Sequence, residues 1–329
     1  MGNTGIMICG HGSRSIAAVE EFRGLASQIA RRYPDDPVEF GFLEFAQPII
    51  RDGLDALIGR GASHILAVPG MLFAAGHVKN DIASVLNSYA AARNGDGTNL
   101  KIEFARDLGI DPKMLAAAKA RIEQAEELAP AGISREETLL MVVGRGTSDP
   151  DANGNIAKIS RMLGEGMGFG WSETSYSGVT FPLVAPGLEH AVRLGYRRII
   201  VFPYFLFTGV LVERIYTITD QIAAQNPETE FIKAAYLGAH DLVVDTFVDR
   251  LNGIATGDNN MNCLTCLYRE QVVGFESRVG QAQHSHHHHV EGIGAGDQAL
   301  PDHDHPHTHP AHPHADHPHG PGKRNPAGA

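Results

Sequence analysis

Cysteine is scarce in this chain: three residues in 329, two of them in a single Cys-x-x-Cys near the C-terminal end. That is too few for a disulfide framework, so the fold must rest on a hydrophobic core. Positive charge is short as well. Lys and Arg number 27 against 38 Asp and Glu, a net charge of −11, which argues against an electrostatic hold on nucleic acid or on an anionic membrane. No apolar run approaches the roughly 20 residues of a membrane span, and no basic segment followed by an apolar stretch opens the chain. With 43% hydrophobic and 20% charged residues, the protein is expected in the cytoplasm, without nucleic-acid or membrane partners. Its length allows two domains with sizeable cores.

What is present is unevenly spread. Five of the 18 histidines fall in the first 256 residues, and the other thirteen lie in residues 284–319, interleaved with Pro, Asp and Gly. Such a segment cannot bury enough surface to offset its ordering entropy, so residues 284–329 read as a disordered His-rich tail. The pattern recurs from His303 to His319 in varied surroundings, which speaks against an expression tag at His286–His289.

Ahead of the tail, short apolar runs alternate with amphipathic stretches. Ile6–Cys9, Val38–Leu43, Ile65–Val68 and Lys101–Phe104 read as strands. Ser15–Arg32, Pro48–Arg60 with its proline near the first turn, Val78–Ala92 and Pro112 to about Leu128 read as helices. That is the pattern of a parallel sheet covered by helices. The second half repeats it at an offset of 134 residues: Gly10-His11-Gly12-Ser13 falls on Gly144-Arg145-Gly146-Thr147, Pro48 on Pro182, Gly53 on Gly187, Gly61 on Gly195 and Pro69 on Pro203. After a shift of five, Leu108-Gly109 meets Leu237-Gly238. The expected fold class is therefore α/β, two similar flavodoxin-like parallel-sheet domains from an internal duplication, with a cleft between their loop-bearing ends. The expected boundaries are 1–130 and 134–256, then a Cys-x-x-Cys segment at 257–283 and the tail at 284–329.

The two copies differ where chemistry would sit. In the first half the strand ends carry His11, Glu44 and His77, and with strand order 2-1-3-4 these belong to three adjacent strands. The matched positions in the second half hold Arg145, Gly178 and Leu211, while the framework glycines and prolines remain. Two imidazoles and a carboxylate suit either coordination of a borderline metal or proton transfer near neutral pH. Ser13 as a nucleophile lacks the Gly-x-Ser-x-Gly elbow, and Gly10-x-Gly12 lacks the third glycine of a dinucleotide fingerprint.

At Gly10-His11-Gly12-Ser13-Arg14, Leu43-Glu44 with Pro48, and Pro69-x-x-Leu72-Phe73-x-x-Gly76-His77-x-x-x-Asp81-Ile82, the chain resembles the class II chelatases in their long two-repeat form, the sirohydrochlorin cobaltochelatases. The resemblance runs from residue 5 to about 255 and extends into the tail. It implies insertion of Co²⁺ into sirohydrochlorin, an early step of cobalamin synthesis, with His11 and His77 as paired metal-handling and catalytic histidines and Glu44 as the nearby acid. Ser13, Arg14 and Arg145 are expected on the substrate. The arginines suit its carboxylates, or else form surface salt bridges. Asp81, one helical turn past His77, either orients that ring or is a solvated helix carboxylate. Fe²⁺ or Ni²⁺ in place of Co²⁺ remains open, because selectivity depends on geometry and supply. A rival of another class is a non-catalytic cobalt or nickel storage protein or metallochaperone that works through its tail.

The resemblance also links Met261-x-Cys263-x-x-Cys266 to an iron–sulfur cluster. One chain has too few cysteines for four thiolate ligands, so the expectation is a homodimer in which two chains each supply Cys263 and Cys266. The tail histidines offer imidazoles for Co²⁺, Ni²⁺, Zn²⁺ or Cu²⁺ and imply metal storage or delivery, with a merely solubilising tail as the plainer alternative.

Overall fold

The computed structural model describes residues 3–259. Cys263, Cys266 and the histidine tail lie outside the described residues. The first sheet contains β1 (Asn3–Gly10), β2 (Val38–Phe42), β3 (Ala62–Pro69) and β4 (Lys101–Phe104), and the second contains β5 (Thr138–Gly144), β6 (Trp171–Tyr176), β7 (Arg198–Pro203) and β8 (Glu230–Lys233). Both are parallel, in the order β2-β1-β3-β4 and β6-β5-β7-β8. The crossovers are α1 (Ile16–Ala30), α2 (Ile50–Gly59), α3 (Ala83–Gly95) and α4 (Pro112–Glu127), then α5 (Pro150–Met167), α6 (Val184–Arg193), α7 (Val210–Gln225) and α8 (Asp241–Thr256). Among the described residues no helix is long and apolar enough to cross a membrane.

Local chemistry sets these limits. Ser15 caps α1 by accepting the Ala18 N–H, and Asp111 and Asp149 cap α4 and α5 ahead of a proline whose missing N–H costs nothing there. Pro48 departs from the expectation. It lies before α2 rather than in its first turn, because its carbonyl accepts the Phe42 N–H at 2.8 Å and its neighbour Ile49 bridges to Phe42. The third helix departs too, opening with a π-helical turn over His77–Ile82.

The repeat seen in the sequence is also a repeat of geometry. Gly12 and Gly146 have φ of 99° and 81°, and an added Cβ would stand 1.7 Å from the Glu44 carbonyl and 1.9 Å from that of Gly178. In each half, only glycine lets the turn after the first strand press onto the loop after the second.

The four helices between the sheets weld the halves together. One continuous apolar cluster joins Ile6, Phe22 and Met114 to Leu140, Phe202 and Phe247. Separate clusters lie beneath α2 and α3 and beneath α6 and α7, on the outer faces of the two sheets. Polar contacts close the seam: Lys113 to Asp249 at 2.5 Å, Arg32 to Asp245 at 2.9 Å, and Arg250 to the Asp107 carbonyl at 2.9 Å. Truncating the fully buried Phe247 to alanine should cost about 3–5 kcal/mol and lower the stability of both halves in one cooperative transition. Denaturant unfolding followed by far-UV circular dichroism checks this, and two separated transitions would contradict it.

Candidate functional site

Adjacent parallel strands lie about 4.8 Å apart and end on the same side of the sheet. Because β2, β1 and β3 are neighbours, the residues that follow them are brought together. His11 Nε2 stands 3.1 Å from His77 Nε2 and 3.2 Å from Glu44 Oε1. The two rings meet edge to face, with centroids 4.4 Å apart. The expected trio converges.

The partners of the other ring nitrogens decide where the protons sit. His11 Nδ1 donates to the Gly12 carbonyl at 3.0 Å, and His77 Nδ1 donates to Asp81 Oδ2 at 2.9 Å. A carbonyl and a carboxylate only accept, so the Nδ1 proton of each ring is fixed and a proton or a metal is exchanged at Nε2. His11 Nε2 therefore has both a second imidazole nitrogen and a carboxylate oxygen within 3.2 Å, an arrangement suited to sharing a proton or a cation. For metal–imidazole bonds of about 2.1 Å, the 3.1 Å separation subtends roughly a right angle at the ion. Among the described residues no three or more His, Cys, Asp or Glu enclose a metal ion.

The π-helical turn creates this geometry. It buries Lys79, Asn80 and Asp81 beneath His77, and Asp81 is wholly buried, so it is an orienting partner of the ring and not a solvated carboxylate. The matched stretch of the second half is the start of α7, an ordinary α-helix. A π-turn inside a helix is uncommon and tends to mark functional positions.

The histidines open into a cleft of about 390 Å³ between the halves. Phe22, Leu72 and Phe73 line it from the first half, and Tyr204, Phe205 and Phe207 from the second. Phe73 and Tyr204 stack with centroids 5.9 Å apart and planes 15° from parallel. Ser13, Arg14 and Arg145 all border the cleft, and among the described residues that line it there is no carboxylate; Glu44 reaches the pair through His11. The Ser13 hydroxyl oxygen accepts the Ser15 N–H at 3.0 Å, leaving its O–H free to donate. The Arg14 guanidinium lies 5.2 Å over the Phe45 ring. Arg145 occupies the place that His11 has in the first half, and its charge acts on both His11 and Glu44. On the far wall, Glu21 of α1 holds the loop before α7 by accepting the Thr208 N–H at 2.8 Å and the Tyr236 hydroxyl at 2.5 Å.

Sequence reasoning gave no role to Lys79, and it overlooked the aromatic wall. Tyr204-Phe205-Leu206-Phe207, directly after a strand, is too apolar for a solvated loop, and that signal was available in the sequence.

Burial, followed by the neighbouring His77 and Arg145 charges, lowers the His11 pKa from 6.5 to about 4, against the opposing pull of the Gly12 carbonyl and Glu44. The unfolded chain then binds more protons at this residue between those values, so folding stability falls as pH drops through that window. His11→Gln should flatten this part of the pH–stability curve in denaturant titrations. An unaltered slope would contradict it.

The CbiX family profile matches residues 5–125 and 139–254. A sirohydrochlorin cobaltochelatase of Priestia megaterium is 36% identical over 234 residues, covering 70% of this chain and 74% of that protein. A sirohydrochlorin ferrochelatase of Bacillus subtilis strain 168 is 27% identical over 262 residues, 76% of this chain and 91% of the relative. Among solved structures, SirB from Bacillus subtilis with Fe³⁺ superposes with a TM-score of 0.67 at 26% identity, covering 79% of this chain and all of the other. The sirohydrochlorin chelatase SirB from Bacillus subtilis subspecies spizizenii in complex with cobalt gives 0.63 at 25% identity, covering 78% and 96%.

Proposed function

Since this chain belongs to the CbiX family, we propose that it is a lyase-type metal chelatase that inserts Co²⁺ into sirohydrochlorin in cobalamin synthesis, the reaction named for its Priestia megaterium relative. The observation that carries this reading is the meeting of two imidazole Nε2 atoms, with Glu44 Oε1 beside them, at a cleft lined by arginines. The ring lies between the apolar walls, and Arg14, Arg145 and the Ser13 hydroxyl take its carboxylates. His11 and His77 receive the ion through one or two bonds, loosely enough to release it to four ring nitrogens. Asp81 keeps the His77 proton on Nδ1, so that Nε2 stays a ligand. As the metal leaves the protein, Glu44 or the vacated imidazoles accept the two pyrrole protons. Fe²⁺ is the second reading, favoured by the ferrochelatase among the relatives.

Mixing the protein with sirohydrochlorin and each divalent metal, and following the tetrapyrrole absorbance, tests this directly. Co²⁺ insertion should exceed the spontaneous rate. His77→Ala should lose on the order of 10²-fold or more in kcat while still quenching on binding the ring. No acceleration with any metal would overturn the proposal.

The finer parts of the proposal concern residues 260–329. A cluster shared by Cys263 and Cys266 of two chains is supported by the spacing and by the four thiolates that such a cluster takes. Metal delivery by the tail is supported by its thirteen histidines. A chain ending at residue 283 should match the full chain at saturating Co²⁺ and fall behind when metal is scarce, and anaerobically isolated protein should contain iron and sulfide. Equal rates under scarcity would refute delivery, and absence of sulfide would refute the cluster.

A further inference from the structure

Beside the metal-handling pair lies an ion cluster that the chemistry above does not use. Lys79 stands in the middle of the π-helical turn, two residues from His77, and its side chain is 1% exposed. Its Nζ reaches across the seam between the halves to Asp149 Oδ2 at 2.7 Å and Asp151 Oδ2 at 3.3 Å. Asp149 begins α5 and ends the turn that carries Arg145, Gly146 and Thr147 along the cleft. That turn is tied down further by Asn153, which accepts the Thr147 N–H at 3.1 Å and donates to the Thr147 carbonyl at 2.7 Å.

The duplication shows what the charge on Asp149 is for. Its counterpart in the first half is Ser15, which also caps a helix through a side-chain oxygen. A hydroxyl is therefore enough for capping. In Asp149 one carboxylate oxygen caps α5 by accepting the Asp151 N–H at 3.0 Å, and the other meets Lys79. Lys79 itself matches Glu213, an exposed residue of α7, and Asp151 matches Ala17. Of the two seams related by the repeat, the ion cluster occupies the one beside His77. Stability alone does not explain it, because apolar replacements of a buried ion pair are often neutral or stabilising. What such a pair does supply is a fixed distance and direction.

We propose that Lys79 is a positioning residue for metal insertion. Gripped by Asp149 and Asp151, it sets the separation between the histidine pair on one wall of the cleft and Arg145 on the other. The inference rests on the chelatase reading and extends it: ring placement depends on a contact that touches neither ring nor metal. Misplacement by about 1 Å of groups that must meet a reactant can cost on the order of 10²-fold.

The test uses the full-length protein with Lys79→Met, Lys79→Arg, Asp149→Ser, and Lys79→Met combined with Asp149→Ser. Asp149→Ser keeps a capping oxygen, as Ser15 does, and removes the charge. Lys79→Met and Asp149→Ser should each raise the KM for sirohydrochlorin about tenfold or more. Co²⁺ binding in the absence of the ring, read from its visible absorption, should stay within about twofold of wild type. Lys79→Arg should recover most of the loss, and the double variant should lose no more than the worse single one. Folded variants with a wild-type KM would overturn the proposal, as would losses that multiply in the double variant. Should the wild-type chain insert no metal, the chelatase reading falls separately. Ring affinity from fluorescence quenching then decides the positioning role by the same comparisons.

Discussion

Two imidazole nitrogens stand 3.1 Å apart with a carboxylate oxygen 3.2 Å from one of them, a contact that a shared proton or a cation makes favourable. The rest of the structure holds it in place. The Gly12 carbonyl and Asp81 turn the rings so that the two Nε2 atoms face each other. The strand order places the three backbones side by side, and a core shared by both halves prevents the strands from moving apart. A group of polar side chains held this close and this precisely needs a scaffold whose remaining contacts are strongly favourable. That is why chemistry of this kind lies at the rim of a close-packed sheet rather than on a free loop.

The duplication separates what the fold requires from what the reaction requires. Phe45 and Val179, at matched positions, both adopt positive φ, 64° and 66°. Each is the centre of a tight turn closed by a bond between residues two apart, Ala46 N–H to Glu44 O and Thr180 N–H to Gly178 O. A β-branched valine in that region is strained. The strain persists in the half that has lost the imidazoles, so it belongs to the path of the chain around the strand ends. The side chains differ: Phe45 packs against His11 and Arg14, while Val179 is exposed.

Much of the fold was legible because its signals are local. Apolar runs closed by glycine and a constant repeat offset were enough for the strands and the duplication, and a flavodoxin-like strand order then put His11, Glu44 and His77 together. Features that depend on several residues at once stayed hidden. The π-helical turn has no periodicity long enough to register, and Val78–Ala92 read as one regular helix. Pro48 read as a helix starter because proline is common there, whereas its carbonyl is engaged with β2. Lys79 in sequence is one charged residue on a helix. Its significance comes from Asp149, seventy residues away and in the other half. Arg145 was visible only as a difference between the two copies.

That difference has a geometric consequence for a flat guest. A planar macrocycle has two faces, and a cleft built from identical copies would present both with the same donors. Here the first half contributes imidazoles to the lining, and the second an arginine at the matched place. The cleft therefore has a front and a back. On the chelatase reading proposed above, the ion reaches the ring from the histidine side. Imidazoles in one copy and Arg145 at the matched place in the other make a repeated slot unsymmetrical.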